Sequence, residues 1–260
     1  MVRQARQESS TGYYHVMIRG INRESLFSRE LDKKNFLELI VEQQASGAFE
    51  LALWCLMDNH AHLIVQAELN KLSKAIKIIS LKFAARYNHD HKRSGPVFGD
   101  RYRSENIEDD SYLIGATRYI HNNPVKAKLV SDPTEYDWSS FGEYLNEVRY
   151  IGQAQKEFVL GLFGDSLSDF AAFHRQEDDV RYLEISEDVD RYREELATKI
   201  VEEFCSSNGI VSARQVQNNP MLFEEICRRL VEEAGLSLRK TAEHLETTHN
   251  KVYEILRENE

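Results

Sequence analysis

The 260-residue chain predicts an α+β fold followed by an all-α region, on three observations. Strand and helix signals alternate as far as Pro124. Two of the strands are separated only by a tight-turn dipeptide, which makes an antiparallel hairpin. After Pro133 the strand signals nearly vanish and only helical patterns remain.

The elements follow in order. Tyr13–Arg19 alternates weakly and reads as a strand, with Gly20, Asn22 and Ser25 punctuating the loop after it. Leu31–Gln44 carries Phe36, Leu37, Leu39, Ile40 and Val41 at helical spacing, and Gly47 ends it. Phe49–Met57 is apolar and aromatic, Asp58-Asn59 is a turn signal, and His60–Ala67 is a second strand. Leu72–Tyr87 is helical until Ser94-Gly95-Pro96 breaks the pattern. Val97–Ile107 reads as extended, with Gly99 as a candidate bulge. Asp109-Asp110-Ser111 starts a helix with carboxylates at its N-terminal end, and that helix stops at Pro124. The order β-α-β-β-α-β-α is that of a ferredoxin-like antiparallel sheet with flanking helices.

Past Pro133, helical stretches are expected at Ser139–Asn146, Gln155–Phe163 and Leu167–His174, with an acidic linker over 175–190 and a longer helix at Val189–Asn208. The expected organisation is a first domain at 1–133, a helical extension and linker at 134–187, and a helical C-terminal domain at 188–260. Within that last domain, Leu238–Leu256 has the form of a helix-turn-helix. Ala242, Leu245, Val252 and Ile255 are its packing positions, and Asn250, Lys251 and Tyr253 its groove-facing ones. Glu246 stands in the turn where glycine is common, and the alternative is a helical hairpin used for packing or protein contacts.

Composition excludes several classes. No apolar run reaches the roughly 18 residues of a membrane span. The polar start, Met1–Thr11, lacks the apolar stretch of a secretory signal. Three scattered cysteines exclude a disulfide framework and fit a reducing cytoplasm. The formal net charge of −10 argues on its face against nucleic acid, but it is unevenly spread. Residues 1–130 carry 19 basic and 15 acidic side chains, and residues 131–260 carry 14 and 28. Between Lys71 and Arg103 the basic residues Lys71, Lys74, Lys77, Lys82, Arg86, Lys92, Arg93, Arg101 and Arg103 face only Asp90 and Asp100. Such a run points to a polyanionic partner or, alternatively, to a solvated helix face. Tyr87, Phe98 and Tyr102, set among these charges, are candidates for stacking unpaired bases.

Two constellations carry chemistry. In a strand, residues i and i+2 share a face, so His60 and His62 present two imidazoles side by side while Ala61 faces the other way. Neutral imidazoles are common metal ligands, although such a pair also occurs by chance on half-exposed strands. On the helix before Pro124, Tyr119 and Asn123 stand one turn apart on one face. A tyrosine hydroxyl can attack a phosphodiester to form a phosphotyrosine bond, given a metal to position the phosphate. Asn123 could supply an oxygen to that metal, and two imidazoles with an amide suit Mg²⁺ or Mn²⁺ better than a closed zinc site. Tyr112 is the rival nucleophile, but its own i+4 residue is Ala116.

Three stretches then match a known family: Tyr13-Tyr14-His15-Val16 through Arg19-Gly20-Ile21-Asn22-Arg23, Met57 through Val65, and Arg118 through Ala127. On them the chain resembles the single-tyrosine HUH transposases, and within these the REP-associated tyrosine transposases, over roughly residues 12–145. Two positions depart: Asp58 replaces the usual proline before Asn-His, and Ala61 is small for its place. The resemblance implies a metal-dependent single-stranded DNA endonuclease and strand transferase working through a 5′-phosphotyrosine. It implies Tyr119 as nucleophile, His60, His62 and Asn123 as metal ligands, and Arg19 with the basic run on DNA. The substrate is then hairpin or repeat DNA, and the helix-turn-helix of the C-terminal module is a candidate contact for flanking duplex. The expected protein is a monomer or homodimer of the bacterial cytoplasm, bound to the nucleoid when acting. The alternative is a domesticated hairpin-DNA-binding or regulatory protein without transposition.

Overall fold

The computed structural model describes residues 6–176 and 186–257. The chain divides into two units, residues 1–183 and 184–260.

The first unit is built on four strands: β1 (Tyr13–Arg19), β2 (Glu50–Leu56), β3 (His60–Gln66) and β4 (Arg103–Ile107). They form one antiparallel sheet in the order β2-β3-β1-β4, the ferredoxin-like arrangement the element order predicts. The two central strands are buried almost throughout. Helices cover both faces, so a clean polar–apolar alternation is not needed and the period-2 signal in the sequence is weak. Helices α1 (Glu30–Ala45) and α2 (Leu69–Asp90) pack together through Phe36 and Phe83, whose rings meet edge to face at 5.5 Å. Helix α3 (Asp110–His121) lies against the histidine-bearing face. It is capped by Asp109, whose side chain accepts the Tyr112 N–H.

Three details differ from the sequence expectation. The extended segment before β4 is a strand only from Arg103. Gly99 lies outside it, in a loop packed against Ile21, and is not a bulge. The register shift in the sheet falls instead between Leu51 and Leu53. Helical structure also continues past Pro124, because proline is tolerated in the first turn of a new helix. A short α4 (Asn123–Lys126) begins there.

Residues after Pro133 belong to the same core as the sheet. Helices α5 (Phe141–Leu145), α6 (Gln153–Gly161) and α7 (Leu167–His174) bury Phe141, Tyr144, Val159 and Phe170 with it. Residue 133 is therefore not a boundary of packing. The proposed acidic linker falls largely on 177–185, outside the described residues. The helix expected from Val189 is already formed at Ser186, as α8 (Ser186–Ser207).

The second unit packs α8 with α9 (Pro220–Glu232), α10 (Leu238–His244) and α11 (His249–Arg257). Its core contains Phe204, Phe223, Ile226, Leu230, Leu245 and Val252. Glu246, between α10 and α11, adopts the left-handed conformation at φ 49°, which glycine takes without steric cost. Among the described residues no helix is long and apolar enough to cross a membrane.

The loop after β1 is fixed by backbone contacts to the β2–β3 turn. Gly20 N–H donates to the Asn59 carbonyl at 3.0 Å, and Phe27 N–H to the Asp58 carbonyl at 2.9 Å. A Cβ on Gly20 would fall inside van der Waals contact of the Glu24 carbonyl oxygen, and backbone cannot yield as a side chain can. Gly20→Ala is therefore expected to lower stability by about 1–3 kcal/mol in urea unfolding.

Candidate functional site

Strand β3 begins at His60 and places it and His62 on one face, ring centroids 4.9 Å apart and planes nearly perpendicular. Ala61 points into the opposite half of the core and is fully buried. The Asn59 carboxamide oxygen lies 2.7 Å from His60 Nδ1. An amide oxygen only accepts, so Nδ1 carries the proton and Nε2 the lone pair. His62 Nδ1 lies 2.9 Å from His15 Nε2 on the neighbouring strand β1. His62 Nε2 and His15 Nδ1 are buried with no hydrogen-bond partner among the described residues. Burial pushes the His62 pKa down to about 3 and holds His15 well below the usual imidazole value, with the neighbouring His62 lowering His15 further. Both rings are neutral at neutral pH, the state in which imidazole is a ligand.

His15 enters the site without having been singled out in the sequence. It lies two residues before Met17, which pairs across the sheet with His62. The signal was present as a third histidine on the same strand face, but only the β1–β3 register reveals it.

Helix α3 brings Tyr119 onto these rings. Its ring centroid stands 5.9 Å from His62 and 6.4 Å from His15, edge-on to both. Lys126 Nζ lies 4.7 Å from the Tyr119 ring centre. Tyr112, the rival, instead gives its hydroxyl to the Glu105 carboxylate. Asn123 is buried, one turn beyond Tyr119, and its Nδ2 donates to the Tyr119 carbonyl at 3.2 Å. That bond commits the amide nitrogen and orients the carboxamide. No group of three His, Cys, Asp or Glu side chains among the described residues is arranged to hold a metal. A cation at His60 and His62 would need further ligands of another kind, and an amide oxygen is one.

The C-terminal end of α3 is fastened by a buried chain of hydrogen bonds. Trp54 N–H donates to Ser140 Oγ at 3.0 Å, Ser140 Oγ meets His121 Nε2 at 2.9 Å, His121 Nδ1 meets His174 Nε2 at 2.9 Å, and His174 Nδ1 meets the Phe170 carbonyl at 2.7 Å. The last acceptor is a carbonyl, so every proton direction follows: His174 Nδ1 donates, His121 Nδ1 donates, and the serine hydroxyl donates to His121 Nε2. All members are satisfied when both imidazoles are neutral. Desolvation lowers the His174 pKa to about 4 and holds His121 well below its usual range. The chain runs from strand β2 through the helix carrying Tyr119 to α7. It is a contribution of the helical extension that sequence reasoning did not anticipate.

The basic run splits into two sets. Lys71 pairs with Glu68 at 2.7 Å, Lys82 with Glu42 at 2.6 Å, Arg86 with Glu38 at 3.3 Å, and Arg93 with Glu24. Among the described residues Lys74, Lys77, Lys92, Arg101 and Arg103 are exposed and form no ion pair. Arg19 stands opposite His60 in the sheet register. The proposed stacking aromatics are largely engaged within the protein. Tyr87 is buried between Phe83 and His91, and Phe98 packs on Phe83. The Tyr102 ring is covered by the Arg6 guanidinium at 3.7 Å, and its hydroxyl meets Ser73 Oγ at 2.9 Å. In the second unit, Lys251 turns back to Gln217 Oε1 at 3.0 Å and lies over Phe223. Asn250 and Tyr253 are exposed, with Tyr253 stacked on His249.

Fold and site together define a class. Residues 8–123 match the family model described as an IS200-like transposase. His60, His62, Tyr119 and Asn123 all fall within it. Among its relatives is a curated REP-associated tyrosine transposase of Haemophilus influenzae, 29% identical over 104 residues, which are 36% of this chain and 59% of the relative. The chain thus spans about three fifths of the length of that relative. The solved structure of a REP-associated tyrosine transposase bound to a REP hairpin is similar in fold, with a TM-score of 0.52 at 17% identity. It covers 70% of this chain and 96% of its own.

The buried imidazoles have a consequence for stability. A histidine whose folded pKa is depressed takes up protons more readily when unfolded. Its stability contribution is full above about pH 6.5 and is lost as pH falls towards the folded value. For His174, with a folded pKa of about 4, the loss amounts to about 3 kcal/mol by pH 4. Urea unfolding between pH 7 and pH 4 should show this decline, and His174→Phe should remove the share of His174 while those of His15, His62 and His121 remain.

Proposed function

We propose that the protein is a metal-dependent single-stranded DNA endonuclease and strand transferase that acts on hairpin or repeat DNA through Tyr119. The observation that carries the reading is Tyr119 set edge-on at 5.9 Å from His62, inside a transposase-family segment. The solved relative bound to a REP hairpin supports a hairpin as the DNA partner.

The Tyr119 hydroxyl gives up its proton and its oxygen bonds to the scissile phosphorus. The P–O3′ bond breaks, the 3′ oxygen leaves as a hydroxyl by taking up a proton, and the 5′ phosphate stays on the tyrosine. The reverse attack by a 3′-hydroxyl rejoins a strand without an external energy source, since the phosphodiester energy is held in the covalent bond.

His60 Nε2, His62 Nε2 and the Asn123 amide oxygen are the groups that would hold Mg²⁺ or Mn²⁺. The buried, unpartnered His62 Nε2 fits this role, because a lone pair so placed has nothing else to do. The bound ion supplies charge neutralisation and positioning at the phosphate. Donation from His62 Nδ1 to His15 Nε2 would leave the His62 Nε2 lone pair for the ion, the usual service of an outer partner to a metal-bound histidine. Lys74, Lys77, Lys92, Arg101, Arg103 and Arg19 are the better placed of the basic residues for phosphate contacts. The C-terminal module is a candidate duplex contact through Asn250 and Tyr253.

An end-labelled single-stranded hairpin oligonucleotide tests the mechanism. Wild-type protein with Mg²⁺ or Mn²⁺ should give a covalent adduct on a denaturing gel, abolished by EDTA. Tyr119→Phe should lower cleavage by about 10³-fold or more and yield no adduct. Cleavage retained in that variant would sink the mechanism. Separately, His15→Phe should weaken Mn²⁺ binding by about tenfold, read by titration calorimetry without DNA.

A further inference from the structure

A cavity of about 390 Å³ lies at the start of α3, at the opposite end of that helix from Tyr119. The volume is within the ordinary range for small-ligand sites. Its walls come from the start of β1, the end of β3, and helices α3 and α6. No lysine, arginine or histidine lines it, whereas two carboxylates do, Asp109 and Asp110. Asp109 uses one oxygen to cap the Tyr112 N–H. The exposed Asp110 carboxylate has no hydrogen bond or ion pair with any described residue. A helix N-terminus carries the equivalent of about half a positive charge. Two full negative charges outweigh it, so the cavity is net negative.

The rest of the lining is aromatic and apolar, over a fixed polar row. Phe158 of α6 stacks on Tyr13 of β1, ring centroids 5.6 Å apart and planes 14° apart. Tyr13 is buried, but Phe158 is 42% exposed, a large ring left half open beside the carboxylates. Leu113 adds an aliphatic surface. The Tyr13 hydroxyl donates to Gln155 Oε1 at 2.7 Å, and Gln155 Nε2 donates to Gln66 Oε1 at 2.8 Å. Burial raises the Tyr13 pKa to about 12. Its oxygen is therefore a neutral phenol that can still accept a hydrogen bond.

These groups select by charge. An anionic ligand is repelled. A bare metal ion lacks a ligand set, since no group of three His, Cys, Asp or Glu among the described residues could hold one. An ammonium or guanidinium head is met by charge-assisted hydrogen bonds from carboxylates, and an open aromatic face attracts it further. We propose that this cavity binds a small organic cation, an amine or guanidine on an aliphatic or aromatic body, with Asp109 and Asp110 on the charged head and Tyr13, Phe158 and Leu113 around the body. The site does not depend on strand transfer by Tyr119. Gln155 and Phe158 lie outside the family-matched residues 8–123, so α6 of the helical extension completes it. An occupant ties α6 to the first turn of the helix that carries Tyr119.

The full-length protein would be titrated with agmatine, putrescine and 2-phenylethylamine by ligand-observed NMR. Salt at about 0.15 M limits diffuse attraction to an acidic surface. The neutral counterpart is 2-phenylethanol. The amides of Nα-acetyl-lysine and Nα-acetyl-arginine stand for a side chain of another polypeptide. At least one cation should bind saturably in the millimolar range or tighter, and 2-phenylethanol about tenfold more weakly than 2-phenylethylamine. Asp110→Asn should weaken binding by about tenfold, and Asp110→Lys, which supplies its own cation, should abolish it. The exposed, shape-conserving Asp110→Asn keeps the test decisive if the lysine variant fails to fold. Glu203→Gln makes the same charge change at an exposed position in the second unit and should leave binding unchanged.

Absence of saturable binding by all five cations would overturn the site. So would equal binding of 2-phenylethanol, or an equal loss in Glu203→Gln and Asp110→Asn. Binding of the free amines alone assigns the site to a small metabolite, and binding of the acetylated amides alone assigns it to a polypeptide side chain. Either result supports the cation site.

Discussion

Two pairs of buried histidines hold the functional end of this molecule together. His15 meets His62 across strands β1 and β3, and His121 meets His174 between helices α3 and α7, each at 2.9 Å. An imidazole in a desolvated setting stays neutral, and a neutral imidazole has one donor and one acceptor nitrogen. Each pair therefore shares a single proton between its facing nitrogens, and an outer partner decides the direction where there is one. For His121 and His174 that outer partner is the Phe170 carbonyl, and the chain is fully satisfied. For His15 and His62 the outer nitrogens are buried and unpartnered among the described residues. A satisfied chain rigidifies, whereas an unsatisfied one costs free energy that a ligand can recover. The contrast separates the brace from the candidate metal site.

This division explains how Tyr119 is held. A tyrosine at a helix end would ordinarily share the fraying of that end, since the carbonyls of the last turn lack intrahelical N–H donors. Here the next residue but one, His121, is tied to β2 on one side and to α7 on the other. Beyond it α4 restarts at Asn123 and Pro124, so the chain does not leave the protein surface. The Asn123 amide closes back on the Tyr119 carbonyl. Tyr119 is thus positioned by a continuous helical path fastened at the point where it would otherwise loosen.

Much of the fold could be read from the residues because local chemistry and global packing agree there. The strand at Tyr13–Arg19, the hairpin about Asp58-Asn59, and the helix at Leu167–His174 are found where the patterns put them. The disagreements share one cause, which is that tertiary contacts override local signals. Gly99 looked like a bulge because it interrupts alternation, yet it lies in a loop packed closely on Ile21. Pro124 looked like a stop because its missing N–H breaks a ladder, yet it sits where a new first turn needs none. Residue 133 looked like a boundary because the strand signals end, yet burial of Phe141, Tyr144 and Phe170 continues the same core.

The charge reading changes most. A run of like charges in sequence says nothing about what faces it in space, and α1 supplies Glu38 and Glu42 to Arg86 and Lys82. Exposed pairs of this kind contribute little to stability, but they do cancel the local field. What remains for a polyanion is a smaller set on α2 and the loop before β4. A net charge of −10 is compatible with a nucleic-acid site on these terms. The acidity is concentrated after residue 130, and which cations stay exposed is decided by folding rather than by number.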